Sequence, residues 1–156
     1  MDQKEHYVTK EKLKQLETEL QVLKKETRRE IAEKLEYAKS LGDLSENAEY
    51  HEARELQAEL EDKIARLEEI IKSAVIVSEK HSTDAAAVGS VVSVQKKGDK
   101  TVINYTLVGT EEADSLLGKI SVRSPFGEAI IGKKKGEKFS FRTPSGDVEY
   151  TIVGLK

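Results

Sequence analysis

Gly42-Asp43-Leu44-Ser45-Glu46-Asn47-Ala48-Glu49-Tyr50 decides how the first half of this chain folds. Gly42 is the one glycine before residue 89, and no proline precedes residue 125. On the N-terminal side of this run Leu13, Leu16, Leu20 and Leu23 step by 3, 4 and 3 residues, and the stripe continues through Thr27, Ile31, Leu35 and Ala38. On the C-terminal side the stripe is Ala53, Leu56, Leu60, Ile64, Leu67 and Ile71. Near-heptad spacing of this kind marks an apolar seam with charged flanks. It predicts one helix from about Thr9 to Leu41 and a second from about Ser45 to Lys72. Roughly 30 residues at 1.5 Å each give a rod of ~45 Å. Neither helix has a face wide enough for a globular core, and only a few residues join them, so the two pair antiparallel as a hairpin. Its one sharp turn carries two acidic residues, Asp43 and Glu46.

The composition changes at Ser73. Ala74-Val75-Ile76-Val77 is apolar and β-branched and reads either as a strand or as a joint. Ser82-Thr83-Asp84-Ala85-Ala86-Ala87 reads as a linker. The period then drops to two. Val92 and Val94, then Val102, Asn104 and Thr106, lie on runs flanking a hairpin turn at Lys97-Gly98-Asp99. Ile120-Ser121-Val122 is a short strand ending at Ser124-Pro125, and Glu128 to Ile131 makes one helical turn. Phe139 and Phe141 alternate with polar residues before Pro144-Ser145-Gly146-Asp147 turns the chain into Val148 to Val153. The second half is a small, mostly antiparallel sheet with little helix.

The chain has 156 residues and no cysteine, which excludes a disulfide framework and thiolate metal sites and fits a reducing compartment. The N-terminus is polar and no segment is apolar for long enough to span a bilayer, so the expectation is a cytoplasmic protein with no membrane partner. Residues 1–80 carry 15 basic and 20 acidic residues, and residues 81–156 carry 11 and 9. A net charge of −3 argues against broad electrostatic capture of nucleic acid. Lys24-Lys25-Glu26-Thr27-Arg28-Arg29 is the densest basic run of the first half, either a solvated face or a contact for RNA backbone. Lys133-Lys134-Lys135-Gly136 reads as a turn. There is no Ser/His/Asp arrangement, glycine-rich phosphate loop or Cys/His cluster, so the chain does not read as a self-sufficient enzyme.

Two readings compete at the turn. Asp43-x-x-Glu46 has the spacing of a capping box, with Gly42 as the stop of the first helix and Asp43 capping the second. Alternatively the two carboxylates deliver part of a metal site in trans. Mg²⁺ prefers oxygen ligands and is commonly held by one or two carboxylates with waters and phosphates, and two carboxylates are too few to hold it tightly alone. Asn47 and Tyr50 brace the turn on either reading. Lys39 and Arg54 flank it, either in local pairs with neighbouring glutamates or in phosphate contact. His51 has no second ligand near it in sequence and reads as a solvated or partly packed side chain.

From Gly42 through Tyr50-His51-Glu52-Ala53-Arg54 the chain closely resembles the bacterial Gre transcript cleavage (elongation) factor family, closest to its GreA branch. Ile120-Ser121-Val122-Arg123-Ser124-Pro125 with Ala129-Ile130-Ile131-Gly132-Lys133 is a second match, and Thr143-Pro144-Ser145-Gly146-Asp147-Val148-Glu149-Tyr150 a third. The likeness covers nearly the whole chain in the family's order. The resemblance implies an α+β fold, with an N-terminal antiparallel coiled-coil hairpin over 1–76 and a small FKBP-like globular domain over 77–156. It also implies that the globular part docks on bacterial RNA polymerase through Ser124 and Pro125, and Phe126 is expected beside them as an exposed apolar docking contact. The hairpin then enters the secondary channel. There Asp43 and Glu46 share a Mg²⁺ with the polymerase, and the polymerase hydrolyses backtracked RNA near its 3′ end. On that basis the free protein is a monomer with no cofactor of its own, and it activates a nuclease without being one. Phe126 stands where a smaller aliphatic residue is expected, and Lys39 stands where arginine is frequent; lysine keeps the charge but loses bidentate geometry. The modest basic run fits the family's A type better than its more basic B type.

Three other functions compete. A Gre-like inhibitor of the same channel would be favoured by a changed tip, and the intact Asp43 and Glu46 pair argues against it. A peptidyl-prolyl isomerase needs an aromatic-lined pocket, for which the second half offers Phe126, Phe139, Phe141, Tyr105 and Tyr150. A plain coiled-coil oligomer would pair its helices between chains.

Overall fold

The leucine stripes fold back on each other in the computed structural model of the chain, which describes residues 5–77 and 84–156. In chain order the elements are β1 (His6–Val8), α1 (Lys10–Val22), a π-helical turn (Leu23–Thr27), α2 (Arg28–Ser40), α3 (Ala48–Lys72) and β2 (Ala74–Ile76). There follow β3 (Val91–Lys96), β4 (Val102–Val108), β5 (Lys119–Ser121), α4 (Pro125–Ile130), β6 (Lys138–Thr143) and β7 (Gly146–Leu155), with short 3₁₀ turns at Thr110–Glu112 and Ser115–Leu117. The chain divides into two compact units. One is Glu11–Ser73; the other joins the N-terminal residues through Lys10 to Ala74–Lys156.

In the helical unit Leu16, Leu20, Ile31, Leu35 and Ala38 are buried on the first arm, and Ala53, Leu60, Ile64, Leu67 and Ile70 on the second. The seam ends on Ile70, and Ile71 is only half-buried. A coiled-coil seam repeats nearer every 3.5 residues than every 3.6, which moves its end toward the earlier of two adjacent isoleucines. The π turn falls where the stripe advances in four-residue steps, from Leu23 through Thr27 and Ile31 to Leu35. Turns of 3.6 residues would carry such a stripe around the helix. A wider turn, bonded i to i+5, brings it back toward the partner arm. The backbones come closest between α2 and α3, where the small Ala38 and Ala53 lie in the seam. Larger side chains hold helix axes further apart.

The other unit holds a five-stranded sheet in the order β5-β4-β3-β7-β6. All neighbours are antiparallel except β4 with β5. Val92 and Val94 from β3, Leu107 from β4, Ile152 from β7 and Ile130 from α4 are fully buried in its core. The hairpin turn at Lys97-Gly98-Asp99 joins β3 to β4 as the sequence predicts. The phase on β4 differs from the run read in the sequence: Tyr105 and Leu107 pack on the core. Asn104 lies on the opposite face, where its Oδ1 accepts from Ser93 Oγ at 2.6 Å. The helical turn begins earlier than Glu128, because Ser124 caps it and Pro125 occupies its first position. Ser82 and Thr83 of the expected linker lie outside the described residues.

Ala74–Ile76 is a strand, and its partner is β1, which the sequence reading did not identify. They pair in parallel, with Tyr7 opposite Val75. Both lie within residues 1–76, which the sequence reading gave to the hairpin, yet they group with the sheet. The physical reason is burial and close approach. Val8 is fully buried. The backbone of Tyr7 lies against Gly109, where an added Cβ would stand 1.6 Å from the Tyr7 carbonyl oxygen. The Thr9 hydroxyl and backbone N–H both donate to the Glu112 carboxylate, at 2.6 and 3.3 Å.

Candidate functional site

The turn between α2 and α3 is built by a stop, a side-chain bend and a cap. Leu41 N–H and Gly42 N–H donate to the carbonyls of Ala38 and Lys39, closing α2. Gly42 then takes φ +109°, a region L side chains rarely adopt. Asp43 folds over the next residues: its Oδ1 accepts from Ser45 Oγ at 2.8 Å and Ser45 N–H at 3.1 Å. These bonds hold the Asp43 carboxyl below the usual carboxylate range, the hydroxyl contributing most and the backbone N–H next. Residues 41–46 are all exposed, so Asp43 and Glu46 face solvent from an ordered loop.

The capping-box reading does not survive. The N-cap of α3 is Asn47, whose Oδ1 accepts from Tyr50 N–H at 3.0 Å. Its Nδ2 donates across the hairpin to the Ala38 carbonyl at 2.6 Å. One amide therefore caps the second helix and ties it to the end of the first, which an aspartate cap has no donor to do. With Asn47 in that place, neither Asp43 nor Glu46 is needed to start α3. His51, read as solvated or partly packed, places Nε2 3.3 Å from the Ser45 carbonyl, a second tie over the loop. Its six-residue reach back into the turn is a tertiary contact that no spacing rule signals. Tyr50 is half-buried, with its ring edge-on to His51 at 5.8 Å. Lys39 is exposed in the last turn of α2. Arg54 is drawn away from the turn: its Nη1 donates to Gln57 Oε1 at 2.9 Å, one turn further along α3.

In the sheet unit, Ser124 uses its hydroxyl internally. It accepts from Gly127 N–H at 3.1 Å and donates to the Ser121 carbonyl at 2.7 Å. Pro125 is exposed. Phe126 is not the exposed apolar contact expected beside it. It is half-buried at the centre of an aromatic cluster, edge-on to Tyr105, Phe139, Phe141 and Tyr150 at centroid distances of 5.1 to 5.8 Å. The five aromatics that an isomerase pocket would need are thus gathered together, with Phe126 in contact with the other four. The large ring at this position is explained by that packing.

A metal would find hard oxygen donors at the turn, but few of them. Among the described residues no group of three or more His, Cys, Asp or Glu side chains is placed to hold an ion. The free Oδ2 of Asp43 and the Glu46 carboxylate fit a site completed by other ligands. Among the described residues no helix is long and apolar enough to cross a membrane.

The chain thus combines a helical hairpin that ends in an exposed acidic turn with a mostly antiparallel sheet. Residues 6–76 match the N-terminal domain of transcription elongation factors, and residues 81–156 match the GreA/GreB C-terminal domain. The chain is 43% identical to the transcription elongation factor GreA of Clostridium perfringens over 157 aligned residues, covering 100% of this chain and 99% of that one. It is 46% identical to the GreA of Chlorobaculum parvum, covering 96% of this chain and 95% of the other. Among solved structures, the GreA factor homolog 1 protein of Thermus thermophilus is 28% identical, with a TM-score of 0.45 over 98% of this chain and 99% of that one. The chain belongs to the GreA/GreB family of transcription elongation factors.

Proposed function

We propose that this protein binds bacterial RNA polymerase and inserts its hairpin into the secondary channel. There it stimulates the polymerase's own hydrolysis of backtracked RNA near the 3′ end. It acts as an accessory factor, and the nuclease is the polymerase. The observation that carries this reading is the acidic turn: Asp43 and Glu46 are exposed and released from any capping duty by Asn47. Ser45 engages one oxygen of the exposed Asp43 carboxylate, which leaves the other for a shared ligand. A Mg²⁺ shared with the polymerase would supply stabilisation of charge on the attacking and leaving oxygens of an in-line displacement. Glu46 adds a second anionic donor from the same loop. Ser124 and Pro125 belong to the surface that docks on the polymerase, with Phe126 supporting that surface from beneath. Lys39 stands at the tip with its charge free to meet RNA phosphate. The working domains are the hairpin and the sheet.

The test is a stalled, backtracked elongation complex incubated with Mg²⁺ and the protein, with the RNA resolved on a gel. Asp43→Asn and Glu46→Gln should abolish stimulated cleavage while polymerase binding and helical content stay at the wild-type level. An amide oxygen at residue 43 still accepts from Ser45, so the loop keeps its shape and only the charge is lost. Full cleavage by Asp43→Asn would sink the metal-sharing role.

A further inference from the structure

Two of the four cations in the basic run that overlaps the π turn, Lys24 and Arg28, are paired with carboxylates of the facing arm. Arg28 lays its guanidinium on Glu61 of α3 in a two-pronged pair, Nε to Oε1 at 2.8 Å and Nη2 to Oε2 at 2.6 Å. Lys24 pairs with Glu68. Glu61 and Glu68 are two turns apart on one face of α3, and Lys24 and Arg28 are about one turn apart on the facing arm. Of the neighbouring charges, Lys63 reaches Glu19 across the hairpin at 2.7 Å and Arg29 leans to Glu33 at 3.6 Å, while Lys25 is exposed. The side chains of the two central pairs keep between 34% and 48% of their exposure, so a phosphate oxygen has access to both cations. Pairs this exposed add little stability. Their consequence is electrostatic. A carboxylate beside each cation leaves an approaching polyanion a dipole in place of a net positive charge.

We propose that Glu61 and Glu68 close this flank of the hairpin to single-stranded RNA. They neutralise Lys24 and Arg28, which would otherwise form a stripe that grips phosphates. The proposal deepens the functional reading above and rests on it for its biological setting. A factor so built engages the transcript through its tip and does not hold the emerging strand along its side. The two carboxylates are then specificity determinants placed one helix away from the cations they control.

The experiment uses the full chain without polymerase and a fluorescein-labelled RNA strand of about 20 nucleotides, read by anisotropy between about 50 and 200 mM salt. The wild type should bind weakly and with a shallow salt dependence. Glu61→Gln/Glu68→Gln should bind more tightly, with a slope of log K against log salt steeper by about 1.4, from two added phosphate contacts at about 0.7 each on a single strand. Over that fourfold salt range its affinity should fall about sevenfold more than that of the wild type. The single variant Glu61→Gln should show half the change in slope. Glu17→Gln/Glu59→Gln removes the same charge at two other exposed positions and should leave the slope unchanged. No gain from the paired variant, or an equal gain from the control, overturns the proposal. Neither result bears on the tip, which the Asp43 and Glu46 variants test separately.

Discussion

Replacing Asn47 should loosen the turn by an amount that the structure lets one divide. Its side chain makes two bonds, the cap to Tyr50 N–H at 3.0 Å and the cross-hairpin bond to the Ala38 carbonyl at 2.6 Å. Losing an N-cap costs about 1 kcal/mol. Losing one ordinary hydrogen bond costs about another 1 kcal/mol; the Ala38 carbonyl also accepts from Leu41 N–H at 3.2 Å, so it is not orphaned. Asn47→Ala should therefore destabilise the hairpin by about 2 kcal/mol, a drop of about 10 °C in the thermal midpoint for a unit of this size. Asn47→Asp separates the two contributions. Aspartate caps as well as asparagine, but it has no donor for Ala38, so it should lose about 1 kcal/mol through the cross-tie alone. The midpoint is read from the helical circular-dichroism signal, and stimulated cleavage is measured on the same samples. Both variants should cleave less than the wild type with polymerase affinity preserved, because the acidic loop is no longer held in place. An Asn47→Asp protein as stable as the wild type would show that the cross-hairpin bond contributes nothing. An unchanged Asn47→Ala would refute the assignment of Asn47 as the cap.

Gly109→Ala should detach β1, since the new methyl would meet the Tyr7 carbonyl at 1.6 Å; the expected cost is about 3 kcal/mol, with faster amide exchange at Val8 and Val77. Wild-type protection of those amides would contradict the close approach. Phe126→Ala should cost about 3 kcal/mol in denaturant midpoint and weaken the near-ultraviolet dichroism of the ring cluster; unchanged stability would return Phe126 to the surface as a docking contact. Ser45→Ala should raise the Asp43 titration midpoint, because the serine hydroxyl is the largest cause of its depression. A depressed carboxyl supports the turn fully above the ordinary aspartate range and loses that support as pH falls through the lowered value. An NMR titration of the Asp43 carboxyl that does not move in Ser45→Ala would remove that cause.

The hairpin was legible because its signal is periodic over many residues. The leucine stripes and the single early glycine leave few alternatives, and the alternation around Lys97-Gly98-Asp99 does the same for β3 and β4. The misreadings fall where a local rule had a tertiary competitor. Asp43-x-x-Glu46 satisfies the spacing of a capping box, but Asn47 can reach both Tyr50 and Ala38 and takes the cap. Phe126 follows an exposed proline in sequence, yet the sheet brings four other rings around it. β1 is three residues long and pairs with a strand on the far side of the hairpin, so no window of sequence contains both partners.

The sequence by itself determined the two-arm helix, the position of its turn, the acidic pair exposed there and the mostly antiparallel sheet that follows. Each is carried by residue period or by backbone freedom, which are local properties of the chain. Tertiary structure alone decided which side chain caps α3, which cations of the basic run are paired, and which aromatic rings meet at Phe126. Those outcomes depend on which polar and apolar groups meet across elements. A hydrogen bond, an ion pair or a ring contact forms with whatever the fold brings within a few ångströms, and only the folded chain brings Ala38 to Asn47, Glu61 to Arg28 and Tyr150 to Phe126.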